Sequence, residues 1–173
     1  DLGSHEKFSG KNIKYFDPEL NQSYTPYVIE TSIGVDRTFL SIMAAAYTEE
    51  ELEGGDSRVV LKLPPVLSPI KAAILPLIKK DGLPEKAREI MNELKFDFKC
   101  AYDEKDSIGK RYRRQDAIGT PFCITVDHQT LEDNTVTIRH RDDMTQERVS
   151  IVELQNIIGD YVNMKNLFRK IVD

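Results

Sequence analysis

Apolar positions divide the 173-residue chain into a short first block and a longer second one. Residues 1–24 are largely polar and contain the turn-like Phe16-Asp17-Pro18. Residues 25–32 are rich in β-branched and aromatic side chains, which predicts a strand that Gly34 ends. Over residues 35–47, Phe39, Leu40, Met43 and Tyr47 recur at helical spacing. Asp36 falls in the first turn of that helix, where a negative charge suits the dipole. The first block therefore reads as a strand, a glycine turn and a helix. The run Glu49-Glu50-Glu51-Leu52-Glu53-Gly54-Gly55-Asp56 is acidic and ends in two glycines, a composition that disfavours packing and predicts a linker. A boundary there gives domains of residues 1–56 and 57–173.

The second block has its own complete pattern. Residues 70–77 form an apolar run of buried-strand type, and Pro84 stands where a helix starts. Leu83, Ala87, Ile90, Met91 and Leu94 trace one helical face. Phe96, Phe98, Cys100 and Tyr102 alternate as a strand with one buried side. A charged loop and short helix fill residues 103–118, and Gly119-Thr120-Pro121 leads into a strand over 122–126. Asp133-Asn134 signals a turn, residues 135–141 alternate again, and Ile151, Leu154, Ile157, Ile158, Tyr161 and Val162 form a last helical stripe. The order β-α-β-α-β-β-α predicts an α/β fold: a mixed sheet flanked by helices, with parallel neighbours from the crossovers and an antiparallel late pair.

Composition narrows the function classes. Hydrophobic residues make up 40% and charged residues 31%, as in ordinary globular proteins, and the formal net charge is -5. Contact with nucleic acid must then come from a local basic patch. No apolar run reaches the ~20 residues of a membrane span. The chain begins at Asp1 without a Met or a leader and reads as an excised segment. Cys100 and Cys123 lack ligand spacing, so no metal site is expected, and they read as buried thiols in a reducing cytoplasm. His5, His128 and His140 are too dispersed for a metal site or a triad.

Chemistry concentrates at Glu30, Ser32, Gly34 and Arg37. On a strand, Glu30 and Ser32 share a face, where a carboxylate binds an ammonium group beside a space-filling hydroxyl. Arg37, in a helix first turn, is slightly unfavourable unless an anion such as phosphate lies near. The competing reading is a solvated glutamate, a capping serine and a surface arginine. In the second block, Lys105, Lys110, Arg111, Arg113 and Arg114 with Tyr112 form the densest basic cluster. Cations bind phosphate, and a tyrosine ring stacks on an unpaired base. Arg139 and Arg141 share a strand face with Thr135 and Thr137, opposite Val136 and Ile138, and are expected to point away from the core. A solvated helix, with Asp103, Glu104, Asp106 and Asp116 as salt partners, is the alternative for this cluster.

The run Val28-Ile29-Glu30-Thr31-Ser32-Ile33-Gly34-Val35-Asp36-Arg37-Thr38-Phe39-Leu40 resembles motif 3 of class II aminoacyl-tRNA synthetases in its glycyl-tRNA synthetase form. Leu63-Pro64-Pro65-Val66-Leu67-Ser68-Pro69-Ile70-Lys71-Ala72 resembles the entry to that family's anticodon-binding domain. Asp103-Glu104-Lys105-Asp106-Ser107-Ile108-Gly109-Lys110-Arg111-Tyr112-Arg113-Arg114-Gln115-Asp116-Ala117-Ile118-Gly119-Thr120-Pro121-Phe122, and Asp133-Asn134-Thr135-Val136-Thr137-Ile138-Arg139 followed by Arg141-Asp142, resemble segments within it. The likeness runs in order along the chain to about Tyr161. It implies a strand–helix remnant of the catalytic core followed by an anticodon-binding domain.

It also implies roles. Glu30 would hold the glycine ammonium group and contribute to the ATP site, Ser32 would narrow the pocket, and Arg37 would bind ATP. Lys110, Arg111, Arg113, Arg139 and Arg141 would contact the tRNA anticodon region. Family enzymes use ATP and Mg2+ to join glycine to tRNA(Gly) and work as homodimers, and the reading carries a cytoplasmic location. Motifs 1 and 2 are absent from these residues, so the chain alone is expected to bind no cofactor and to be inactive, because such groups act as a unit. The alternative is a stand-alone RNA-binding module with an anticodon-domain-like fold and no ligase activity, which leaves Glu30, Ser32 and Arg37 without a task.

Overall fold

The computed structural model describes residues 1–52 and 54–172, with every side chain among them except that of Lys170. The chain divides into two units, Asp1–Thr38 and Phe39–Asp173. In the first, the polar opening forms helix α1 (Leu2–Ser9), which buries no residue and ends at Gly10 in the left-handed conformation. Strands β1 (Tyr15–Asp17) and β2 (Gln22–Tyr24) pair antiparallel with each other. Their turn forms where Phe16-Asp17-Pro18 signals it, because Asp17 Oδ1 accepts the N–H groups of Glu19 at 2.9 Å and Leu20 at 3.1 Å. The strand expected over residues 25–32 does not form, and the segment carries no regular secondary structure. Its side chains suit a strand, but a strand exists only through a paired neighbour, and none of the described residues pairs with it.

Helix α2 (Val35–Ala46) forms as its periodicity requires, and the division between the units falls within it. The expected linker is a correction: Tyr47–Glu51 (β3) and Ser57–Leu61 (β4) are an antiparallel hairpin in register from Tyr47↔Leu61 to Glu51↔Ser57. Gly54 and Gly55, both at positive φ, make its tip. The glycines that suggested looseness are turn residues, so residue 56 lies inside a structured element rather than at a boundary. Ala46, Leu61 and Leu63 bury together, with Ile42 and Met43 against them.

The second unit is built on a five-stranded sheet in the order β6-β5-β7-β8-β9. Strand β5 (Ala72–Pro76) lies parallel to β6 (Cys100–Tyr102) and to β7 (Phe122–Val126). Strands β8 (Thr135–His140) and β9 (Gln146–Ser150) continue antiparallel. Helices α3 (Leu83–Leu94) and α4 (Ile108–Ile118) are the crossovers, and α5 (His128–Asp133) precedes β8. A 3-10 turn leads into α6 (Leu154–Val162), followed by α7 (Met164–Val172). The mixed α/β fold expected from the pattern is present, with α5 and β9 in addition. Gln146-Glu147-Arg148-Val149-Ser150 is an edge strand of mostly polar residues, which is why alternation does not reveal it. The strand expected over 96–102 shrinks to its last three residues; Phe96 is exposed and Phe98 packs against the core instead.

Both sheet faces are covered. Ala72 and Ile74 of β5, Phe122, Ile124 and Val126 of β7, and Val136 and Ile138 of β8 meet Leu83, Ala87, Ile90 and Leu94 of α3 and Leu154 and Ile158 of α6. On the opposite face Ala73, Leu75 and Cys123 meet Ile108 and Tyr112 of α4. Central strands buried on both sides read as continuous apolar runs, as 72–76 and 122–126 do. Burial pushes the thiols of Cys123 and Cys100 up to about 12 and about 11, so neither is a thiolate at neutral pH. No helix among the described residues is long and apolar enough to cross a membrane.

Candidate nucleic-acid interface

Helix α4 carries the basic cluster, and its packing sorts those cations into two groups. Asp116, wholly buried on its inner face, accepts two hydrogen bonds from Arg139 (2.8 and 3.0 Å) and one from Arg58 of β4 (3.0 Å). Arg58 also donates to Glu50 Oε2 at 2.6 Å and to the Arg141 carbonyl at 2.9 Å. Two guanidinium groups thus face two carboxylates across four elements, β3, β4, α4 and β8. Burial works against the Arg139 charge, but the Asp116 hydrogen bonds outweigh it and hold its pKa above the ordinary value. The guanidinium lies 4.8 Å from the Tyr112 ring centroid, and the Tyr112 hydroxyl bonds Thr125 Oγ1 at 2.6 Å.

Three expected RNA contacts are therefore corrected. Arg111, Arg139 and Arg141 are only 2%, 3% and 2% exposed. Arg111 donates to the carbonyls of Pro76, Leu77 and Asp103 at the ends of the parallel strands. Arg141 donates to the carbonyls of Gly119 (2.9 Å) and Leu63 (2.8 Å) and to Asp142. On the face of β8 opposite Val136 and Ile138, the Arg139 and Arg141 end is covered by α4 and the segments that flank it, while Thr135 and Thr137 stay half-exposed. At Gly119 the chain turns at φ +81, and an added Cβ would sit 3.0 Å from the Leu61 carbonyl, so the hairpin is seated directly on the end of α4. Arg114 is exposed but paired with Asp103 (2.6 Å) and Asp106 (3.0 Å), as the salt-partner alternative has it.

Lys110 and Arg113 remain on the outer side of α4, and neither joins an ion pair among the described residues. They line a depression of ≈ 440 Å³ with Tyr112 and Arg139, Asp56 from the hairpin tip, and Met144 and Gln146 from the approach to and start of β9. This is a shallow site with two cations, a tyrosine backed by a guanidinium, and both acceptor and amide groups. Phosphate contact and base-edge hydrogen bonding are the chemistry available to it. Sequence reading missed Asp56, Met144 and Gln146, which tertiary structure alone brings to α4. The signal for Arg58 was present: a lone charge entering the run Val59-Val60-Leu61.

Glu30, Ser32 and Arg37 belong to the first unit and are exposed. Glu30 and Ser32 lie in the irregular segment, so the shared strand face is not formed, while Arg37 does occupy the first turn of α2.

A mixed sheet with helices on both faces is the architecture of an anticodon-binding domain of the synthetase type. Residues 71–160 match the model of the anticodon binding domain, and the chain belongs to that family. Among curated proteins it is 56% identical over 162 residues to the Glycine--tRNA ligase of Clostridium tetani, covering 94% of this chain and 35% of the relative. It is 53% identical over 160 residues to the Glycine--tRNA ligase of Borrelia hermsii, covering 91% and 36%. The chain thus spans about a third of the length of these relatives. Among solved structures, the RNA binding domain of Threonyl-tRNA synthetase from Cryptosporidium parvum Iowa II matches with a TM-score of 0.53 and 25% identity. That match covers 58% of this chain and 25% of the other. The resemblance to glycyl-tRNA synthetases is borne out along most of the chain.

Proposed function

We propose that the chain is the C-terminal, tRNA-reading part of a glycine–tRNA ligase. The observation that carries this is its 56% identity to such a ligase over 162 residues, which extends through the motif 3-like segment as well as the anticodon binding domain. Lys110 and Arg113 hold phosphates of the tRNA anticodon loop, and the Tyr112 edge, Gln146 and Met144 face a base. Arg139, Arg141 and Arg111 support this surface from beneath.

The whole enzyme, a cytoplasmic homodimer in this reading, activates glycine with ATP and passes it to tRNA(Gly). Glu30 holds the substrate ammonium group and adjoins ATP, Ser32 excludes larger amino acids, and Arg37 meets the ATP phosphates or adenine. The first-turn position of Arg37 supports its part of this assignment. Mg2+ would accompany ATP as counter-ion. The chain alone neither activates glycine nor charges tRNA. Glycine-dependent pyrophosphate–ATP exchange by the isolated chain would overturn that.

The test is binding to tRNA(Gly) transcripts with native and altered anticodons at two salt concentrations. The native anticodon should bind more tightly at both. Lys110→Ala and Arg113→Ala should each weaken binding severalfold and reduce the salt slope by about 0.7–0.9. Equal, salt-sensitive binding to every transcript, unchanged by these substitutions, would sink the reading.

A further inference from the structure

The β3–β4 hairpin lies outside the matched domain, residues 71–160, yet it forms one wall of the α4 depression. Its attachment is specific. Arg58 reaches from β4 to buried Asp116 of α4 and to the Arg141 carbonyl beyond β8, while Glu50 of β3 holds the same guanidinium from the other side at 2.6 Å. The Leu61 carbonyl rests against Gly119, where any side chain would collide with it. These contacts fix the hairpin against α4 and β8, and with it Asp56, two residues before Arg58.

Asp56 is exposed and makes no ion pair among the described residues, although Lys110 and Arg113 line the same depression. A carboxylate on a phosphate-binding surface is unfavourable for a polyanion, so its presence there calls for a compensating contact. An ionised carboxylate only accepts hydrogen bonds, and the groups of an unpaired base that donate to it are ring N–H and exocyclic amino groups. Cytosine presents an amino donor at C4, where uracil presents a carbonyl oxygen, so a carboxylate aimed at position 4 accepts from the first and repels the second.

We propose that the β3–β4 hairpin is a base-selecting wall of the RNA site, in which Asp56 accepts a hydrogen bond from the amino edge of an unstacked base and the Glu50–Arg58–Asp116 linkage holds it in position. This rests on the reading of the α4 depression as the RNA-facing surface. Lys110 and Arg113 then contribute sequence-independent affinity, and Asp56 contributes discrimination.

The sign of one substitution separates a hydrogen bond from bulk electrostatics. Asp56→Asn removes a negative charge, so on charge alone it raises affinity for every RNA. A selective acceptor predicts otherwise: binding to a stem-loop with cytosine at the read position should weaken, and the preference over the same RNA with uracil there should fall by about tenfold. The probes are stem-loop RNAs with loop cytosines changed singly to uracil, bound to the whole 173-residue chain. Glu50→Gln, at a half-exposed site, should reduce the same preference while leaving the salt slope unchanged. Loss of binding in Lys110→Ala and Arg113→Ala, combined with a uniform gain in Asp56→Asn, would overturn the wall while leaving the RNA surface intact. No effect of Lys110→Ala or Arg113→Ala would remove the RNA surface, and the wall with it.

Discussion

Residues 27–29 and residues 73–75 are both short apolar runs, Tyr-Val-Ile and Ala-Ile-Leu, yet Ile29 is 97% exposed and Ile74 0%. The first run lies in the Asp1–Thr38 unit and pairs with nothing described. The second is β5, bonded to β6 and β7 along its edges, with α3 on one face and α4 on the other. Intrinsic strand preference is weak, about 1 kcal/mol across the residue scale, whereas burying one aliphatic side chain contributes ~1.5–3 kcal/mol. Whether an extended apolar segment becomes a strand is therefore decided by what lies beside it.

That contrast can be broken most directly at Asp116. Asp116→Ala leaves Arg58 and Arg139 buried with one carboxylate fewer and should destabilise the second unit by ~3–5 kcal/mol. A denaturant midpoint close to that of the parent chain would show that the network is not needed for packing. Next in size is the paired comparison: Ile74→Ala should cost ~2–5 kcal/mol, and Ile29→Ala less than about 0.5 kcal/mol. Similar midpoint shifts for the two would mean that residues 25–34 are packed in solution.

The smallest effect is a pH dependence. Hydrogen bonds from Arg148 hold the Asp127 carboxyl below its ordinary value. A depressed carboxylate contributes stability above its unfolded pKa of about 4 and loses it as pH falls through the lower folded value. Arg148→Gln should thus lower stability by no more than ~1 kcal/mol at neutral pH, and the difference should shrink in acid to the part carried by the Arg148 hydrogen bonds to Thr135. A difference that is the same at neutral pH and near pH 2 would show that the pair with Asp127 contributes nothing.

The arginines teach a related lesson. Arg113 and Arg139 are both within or beside the basic motifs, and sequence spacing treats them alike. Strand alternation correctly placed Arg139 opposite Val136 and Ile138, but alternation gives a side, not its covering. Asp116 lies twenty-three positions upstream of Arg139, and only the crossover over β5 brings the two together.

Much of the second unit was legible for a physical reason: central strands, amphipathic helices and turn residues carry their environment in local periodicity. The runs at 72–76 and 122–126, the α3 face from Leu83 to Leu94 and the Asn134 turn all formed where the pattern put them. So did the family resemblance, because its motifs are contiguous. Tertiary structure decided the rest. It made a hairpin of the acidic Gly-Gly segment, left residues 25–34 unpaired, drew Arg111, Arg139 and Arg141 inward, and assembled Asp56, Lys110, Arg113 and Gln146 around one depression. Each of these depends on a partner distant in the chain, and local pattern contains no record of it.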